Sequence, residues 1–145
     1  MAGTRGDPRD STVPENASFR LSSLQRFETV DWSTVPAEPG VYVIHDDDEI
    51  VYVGMSGRNG KGNLRNRLKD HASGQIVNMF AQYLFLARVQ FIPDERITHP
   101  RVAKAACQQY IREHCAFRYH VTEDGAVARA LENRLKSELR PTLNP

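Results

Sequence analysis

Two tyrosines ten residues apart (Tyr42 and Tyr52), an arginine and a histidine four apart (Arg67 and His71), and Glu132 toward the C-terminal end are this sequence's best candidates for joint chemistry. Phosphodiester hydrolysis needs a nucleophilic water, a group to take its proton, and positive charge where negative charge gathers on the phosphate and the leaving oxygen. These side chains supply all three. Glu132 is a hard oxygen ligand suited to one Mg²⁺ or Mn²⁺ ion that keeps most of its waters and also grips a phosphate oxygen. Arg67 offers a planar, permanently charged fork for the non-bridging oxygens. One helical turn on, His71 shares its face and can hydrogen-bond the phosphate or relay a proton. On corresponding faces of neighbouring strands, Tyr42 and Tyr52 would bring two phenols to the same water.

Taken singly, each of these residues also has a purely structural explanation. Tyrosine favours sheets, where it packs across strands. Arginine and histidine usually lie on solvated helix faces, and an exposed helical glutamate is ordinary. A phenol is also a poor base at neutral pH, because its ordinary pKa is about 10. Either a nearby cation lowers that value, or Tyr42 passes a proton to His71 while taking one from water.

The elements that must position these groups can be read along the chain. Residues 1 to about 18 are rich in Gly, Pro, Ser, Asp and Arg without hydrophobic period, which predicts a flexible tail. Phe19, Leu21, Leu24 and Phe27 suggest a short helix within an N-terminal segment 1–30, and the domain proper is expected over 31–145. Val41–His45 and Ile50–Val53 read as a hairpin joined through Asp46, Asp47, Asp48 and Glu49. Met55–Asn63, with Gly57, Gly60 and Gly62, reads as a mobile loop that delivers Arg58 and Lys61 to the surface. Asn63 then caps a helix with Leu64 and Leu68 inward and Gly74 as its stop. The stretch Ile76–Ile92 opens as a helix and ends, over Leu84–Ile92, as a strand. Residues 101–114 read as a helix and Phe117–Val121 as a strand. Asp124 caps a last helix, Gly125–Leu139, whose stripe Ala128, Leu131, Leu135 and Leu139 faces inward before Pro141. The expected fold is α/β of the α+β kind: a small mixed or antiparallel central sheet flanked by helices.

Composition bounds the partners. The chain has 145 residues, 40% hydrophobic and 26% charged, which suits one soluble domain. Its apolar runs are too short for a bilayer and its N-terminus does not resemble a signal peptide, so the cytoplasm is the expected compartment. The net charge of +1 conceals an asymmetry: residues 1–49 carry ten acidic and four basic groups, residues 50–145 eight and fifteen. Arg58, Lys61, Arg65, Arg67 and Lys69 fall within twelve positions with no acid before Asp70, a run suited to tracking a phosphate backbone. Cys107 and Cys115 would stand about 12 Å apart on a continuous helix, beyond disulfide reach, and lack the close partners of a zinc site. They are expected to be reduced, partly buried thiols.

In order along the chain, Gly40-Val41-Tyr42, Tyr52-Val53-Gly54, Arg67 with His71 in Leu64–His71, Glu132, and Asn144 beyond Pro141 resemble the GIY-YIG nuclease family, over roughly Trp32 to Asn144. The resemblance implies a metal-dependent endonuclease that hydrolyses phosphodiester bonds, with DNA favoured over RNA. It implies Tyr42 as general base, Tyr52 as its helper, Arg67, His71 and Glu132 as further catalytic residues, Glu132 as the metal ligand, and Asn144 beside the nucleic-acid contacts. The interval from Tyr52 to Arg67 is longer than the family pattern, through the glycine-rich 58–62. Such domains usually carry a targeting domain, for which this length leaves no room; targeting would fall to the tail, the middle helix, or a protein or oligomeric partner. The alternative is a module of the same fold that binds nucleic acid or protein without cutting.

Overall fold

The computed structural model of the chain describes residues 20–58, 61–74, 79–88 and 100–144. Strand β2, Gly40–Asp46, and strand β3, Glu49–Ser56, pair antiparallel as the expected hairpin. The turn between them is two residues long, with Asp47 at φ 52°, a left-handed conformation that a short polar side chain tolerates. The register shifts between Ile44 and His45, which pair with Tyr52 and Ile50, so that Val51 forms a bulge in β3. Strand β4, Cys115–Val121, lies antiparallel on the other side of β2, starting two residues before the expected boundary. The two-residue strand β1, Gln25–Arg26, pairs with β4, so the sheet is wholly antiparallel in the order β1-β4-β2-β3.

That first strand corrects the helix expected at 19–27. Ser22 N–H donates to the Tyr119 carbonyl, and Gln25 and Arg26 sit opposite Phe117 and Ala116, so the segment runs extended along β4. Phe27 packs at 4.9 Å between ring centroids against Phe117, and Trp32 stacks on the same ring at 5.7 Å. Strand pairing and burial of aromatic surface outweigh the weak helical spacing of Leu21, Leu24 and Phe27. Phe19 and the tail 1–18 lie outside the described residues.

Helix α1 spans Leu64–Ala72, with the Asn63 side chain accepting from Asn66 N–H and Gly74 at φ +74° just past its end. Helix α2 spans Met79–Ala87, which corrects the strand expected from Leu84; Val89–Ile92 lie outside the described residues. A short run of leucine and aromatic residues does not distinguish helix from strand by period alone. Helix α3 covers Pro100–His114 and helix α4 Gly125–Leu139, the latter capped by Asp124, which accepts from Val127 N–H. Among the described residues no helix is long and apolar enough to cross a membrane.

Each face of the sheet has its own core. Tyr42, Ile44, Phe117, Leu64, Leu68, Phe80, Leu84 and Ile111 gather on the face covered by α1, α2 and α3. Val41, Val43, Val53 and Met55 meet Ala128, Leu131 and Leu135 of α4 on the other. Each such side chain contributes about 1.5–3 kcal/mol on burial, and both layers are anchored on β2. At the far end of β2, buried Asp46 accepts from Tyr110 Oη at 2.7 Å and Arg88 Nη1 at 3.1 Å, and Arg88 also bridges to Glu49 at 2.8 Å. Cys107 and Cys115 are free and fully buried, one in α3 and one in β4.

The C-terminal residues cover the free edge of β3. Leu143 N–H donates to Val51 O, and the Asn144 carboxamide accepts from Val53 N–H at 2.7 Å and donates to Val53 O at 3.0 Å. Asn144 imitates one residue of an added strand.

Candidate active site

Tyr42 and Tyr52 stand on adjacent strands with their rings on the α1 face, at 6.5 Å between centroids. Tyr42 is opposite Gly54 in the β2–β3 register, and its ring crosses the space that a side chain there would fill. A Cβ on Gly54 would lie 2.3 Å from the Tyr42 oxygen and 2.5 Å from Cζ. The glycine of Tyr52-Val53-Gly54 is therefore required by the phenol of the neighbouring strand. The hydroxyl of Tyr42 comes to rest under α1, hydrogen-bonded to His71 Nε2 at 2.6 Å; with the ring proton on Nδ1 the phenol is the donor. Arg67, one turn earlier on the same face of α1, is the charge that most opposes the effect of burial on this phenol.

His71 is fully buried, walled by Tyr42, Tyr52 and Phe80 at centroid distances of 5.3, 5.6 and 5.3 Å. Phe80 of α2 thus closes a four-ring box that the sequence did not announce, because one apolar helix residue carries no signal of its neighbours. Arg67 is half-buried. Burial works against its charge, but Tyr42, Tyr52 and Asp70 around it hold its pKa above the ordinary value. Glu132 reaches the same place from the opposite layer: it is 5% exposed, lies at the border of the buried stripe of α4, and acts electrostatically on both phenols. Its carboxylate stands 3.5 Å from Lys136 Nζ. Two phenols and an imidazole therefore gather under α1, and the Arg67 guanidinium and the Glu132 carboxylate both act on the two phenols.

The basic residues of 58–69 do not stay together. Arg58 is exposed and acts electrostatically on Tyr52; Lys61 is exposed in the loop before α1. Lys69 is about 200° and Arg65 about 160° round α1 from Arg67, so both lie on its far side. Arg65 is held there within the fold, donating Nε–H to Val35 O at 2.8 Å and Nη2–H to Ser33 O at 3.4 Å. Asn144 is likewise engaged at both ends of its amide with Val53. Arg65 and Lys69 are thus on the side of α1 away from Arg67, and Asn144 is on the β3 edge.

Burial is the largest influence on the phenols: it raises the pKa of Tyr42 and of Tyr52, with Arg67 the main opposing influence. Neither phenol is poised to ionise at neutral pH, and the shared proton with His71 is the better route. Burial also raises Tyr110 and Cys115, and pushes Cys107 up to about 11. Each of these groups is neutral when protonated, so the folded chain keeps protons that the unfolded chain has released. Their contribution to stability is complete below the unfolded values, about 8.5 for a thiol and 10 for a phenol, and is lost as pH rises through the folded ones. Of the five tyrosines, Tyr42, Tyr52 and Tyr110 should ionise only as the chain unfolds in alkali. Tyrosinate absorbance followed together with circular dichroism checks this; full ionisation near pH 10 with native dichroism would contradict it.

Glu132 fits a divalent ion. It is a buried hard-oxygen donor, and its ion pair with the partly exposed Lys136 is one that an incoming cation can replace. A second grouping lies at the hairpin end of β2, where ligand atoms of Asp46, Asp47 and His114 fall within 4.8 Å of one another. There the Asp46 carboxylate already takes the Arg88 guanidinium and the Tyr110 hydroxyl, which fill the place of a cation.

No family model matches the sequence, and neither does any curated protein. Among solved structures, the chain is similar to the GIY-YIG N-terminal endonuclease domain of UvrC from Thermotoga maritima bound to its catalytic magnesium. That likeness has 20% identity and a TM-score of 0.44, over 79% of this chain and 91% of that one. Two point mutants of that domain, each with its catalytic divalent cation, match at 21% and 20% identity and TM-scores of 0.43 and 0.44, over 79% of this chain and 90% of theirs.

Proposed function

We propose that the chain is a metal-dependent endonuclease of the GIY-YIG type that hydrolyses phosphodiester bonds, with DNA as the favoured substrate. The observation that supports this best is the 2.6 Å hydrogen bond between the Tyr42 hydroxyl and His71 Nε2, with the charges of Arg67 and Glu132 both acting on that phenol. A guanidinium for the phosphate, a proton path leading away from water, and a buried carboxylate for a cation are the three requirements of the reaction.

In this reading Arg67 turns its donors to the non-bridging oxygens, where charge grows as water attacks phosphorus. Tyr42 takes the water proton while its own proton passes to His71, so no free phenolate forms and the imidazole ends protonated. Tyr52 packs beside that pair and, 8% exposed, presents the outer phenol to the incoming water. Glu132 would hold one Mg²⁺ or Mn²⁺ ion, which when bound supplies Lewis-acid charge at the phosphate. Arg58 and Lys61 contact the backbone without reading bases. The cytoplasm is the compartment that fits this reading, and a protein partner or a second copy would provide targeting.

Incubation of the purified chain with labelled single-stranded, duplex and branched DNA and with RNA, with Mn²⁺ and with chelator, tests the proposal. Cleavage that requires the metal is expected. If all four substrates stay intact in Mn²⁺, the chain is instead a binding module of the same fold.

A further inference from the structure

The sequence concentrates its basic residues before and within α1, yet α1 turns two of them away from the site. Another set, contributed by α4, lies beside Glu132. At about 100° per residue, Arg129 and Lys136 are about 60° and 40° further round α4 than Glu132, on the side away from the buried Ala128, Leu131 and Leu135, and Arg140 follows as the left-handed C-cap one turn beyond Lys136. Arg129 and Arg140 are exposed and form no ion pair among the described residues. Glu132 is the only acid in that sector. Arg134 and Glu138 pair with each other at 3.1 Å on the other side of the helix.

We propose that this band on α4 is the second half of the nucleic-acid contact, so that a phosphodiester strand passes the site with Arg58 and Arg67 on one side of the reacting phosphate and Arg129, Lys136 and Arg140 on the other. The proposal rests on the nuclease reading of the site and names its binding surface. Topology supports it: α1 packs on one face of the sheet and α4 on the other, both against β3, and Arg67 of α1 and Glu132 of α4 act on the same two phenols. The band extends over eleven residues from Arg129, roughly 16 Å of helix, which spans several consecutive phosphates at about 3.4 Å of axis each.

Lys136 joins the band to the site. Its ammonium, with the side chain 36% exposed, forms the ion pair with Glu132. A partly exposed pair at 3.5 Å contributes little, and the lysine can exchange the carboxylate for a phosphate oxygen. An arriving strand would thereby release Glu132, and metal binding and substrate binding would assist each other.

The test is anisotropy of a fluorescein-labelled DNA duplex of two helical turns, titrated with the chain in chelator so that no cleavage occurs, across a range of salt. Arg129→Ala with Arg140→Ala should weaken binding by roughly tenfold or more and lower the slope of log K against log salt by about 2. Arg134→Ala and Lys69→Ala should leave both unchanged. An unaltered slope in the double variant, equal losses in the two controls, or no binding by the parent chain would overturn the proposal. Because this assay reads no cleavage, the double variant losing affinity in a chain that never cuts DNA would support the surface while removing the nuclease reading.

Discussion

Tyr42→Phe should lower the rate of metal-dependent cleavage by roughly 10²–10⁴-fold, the range for removing a proton-transfer group. The substitution keeps the ring and its contacts with Tyr52 and His71 but deletes the oxygen hydrogen-bonded to His71 Nε2. Water then has no acceptor in line with the imidazole. Because the two groups act as one relay, Tyr42→Phe combined with His71→Gln should cost little more than either alone. Single-turnover rates of the three variants check this. Losses that multiply would mean that the phenol and the imidazole work separately, and an unaffected Tyr42→Phe would remove the relay.

The second large effect is expected from a residue with no side chain. In Gly54→Ala the new methyl would stand 2.3 Å from the Tyr42 oxygen, closer than folded proteins allow, and the phenol is the group that must move. Tyr42 is fully buried, so displacing it disturbs the packing around Leu64, Leu68 and Phe80 as well as the relay. Overpacking of this kind costs about 1–3 kcal/mol. Cleavage should fall at least as far as in Tyr42→Phe, and urea unfolding should show a midpoint lowered at unchanged slope. A Gly54→Ala variant with parental activity and stability would show that Tyr42 does not lie across β3 as described.

Much of the scaffold was legible because local signals and tertiary packing agree. The apolar run Val41–His45, the acidic turn and Ile50–Val53 specify a hairpin wherever they occur, and Asn63, Gly74 and Asp124 mark helix ends by their own side-chain and backbone chemistry. Strand β1 was not legible, since two residues have no period and become a strand only through Phe117 and Ala116 opposite them. Helix α2 was not, because a leucine-rich run suits a buried helix as well as a buried strand. At the site, Tyr42, Tyr52, Arg67, His71 and Glu132 could be selected by order and spacing, and the structure brings them together. Where Lys69 stands was not legible because charge density along the chain ignores the turn of the helix, and the same turn places Arg129 and Lys136, seven residues apart, on one side of α4. Nor was the place of Asn144, whose amide completes a sheet edge, a partnership that only the folded chain shows.

The most direct measurement is the single-turnover rate of DNA cleavage in Mn²⁺ by the parent chain and by Glu132→Gln, which keeps the shape of the side chain but not its charge. If Glu132 holds the ion that assists phosphate displacement, several kcal/mol of transition-state stabilisation depend on it, and the rate should fall by about three orders of magnitude with thermal unfolding nearly unchanged. Cleavage by Glu132→Gln at the parental rate, with the same response to chelator, would contradict the assignment of this cluster as the active site.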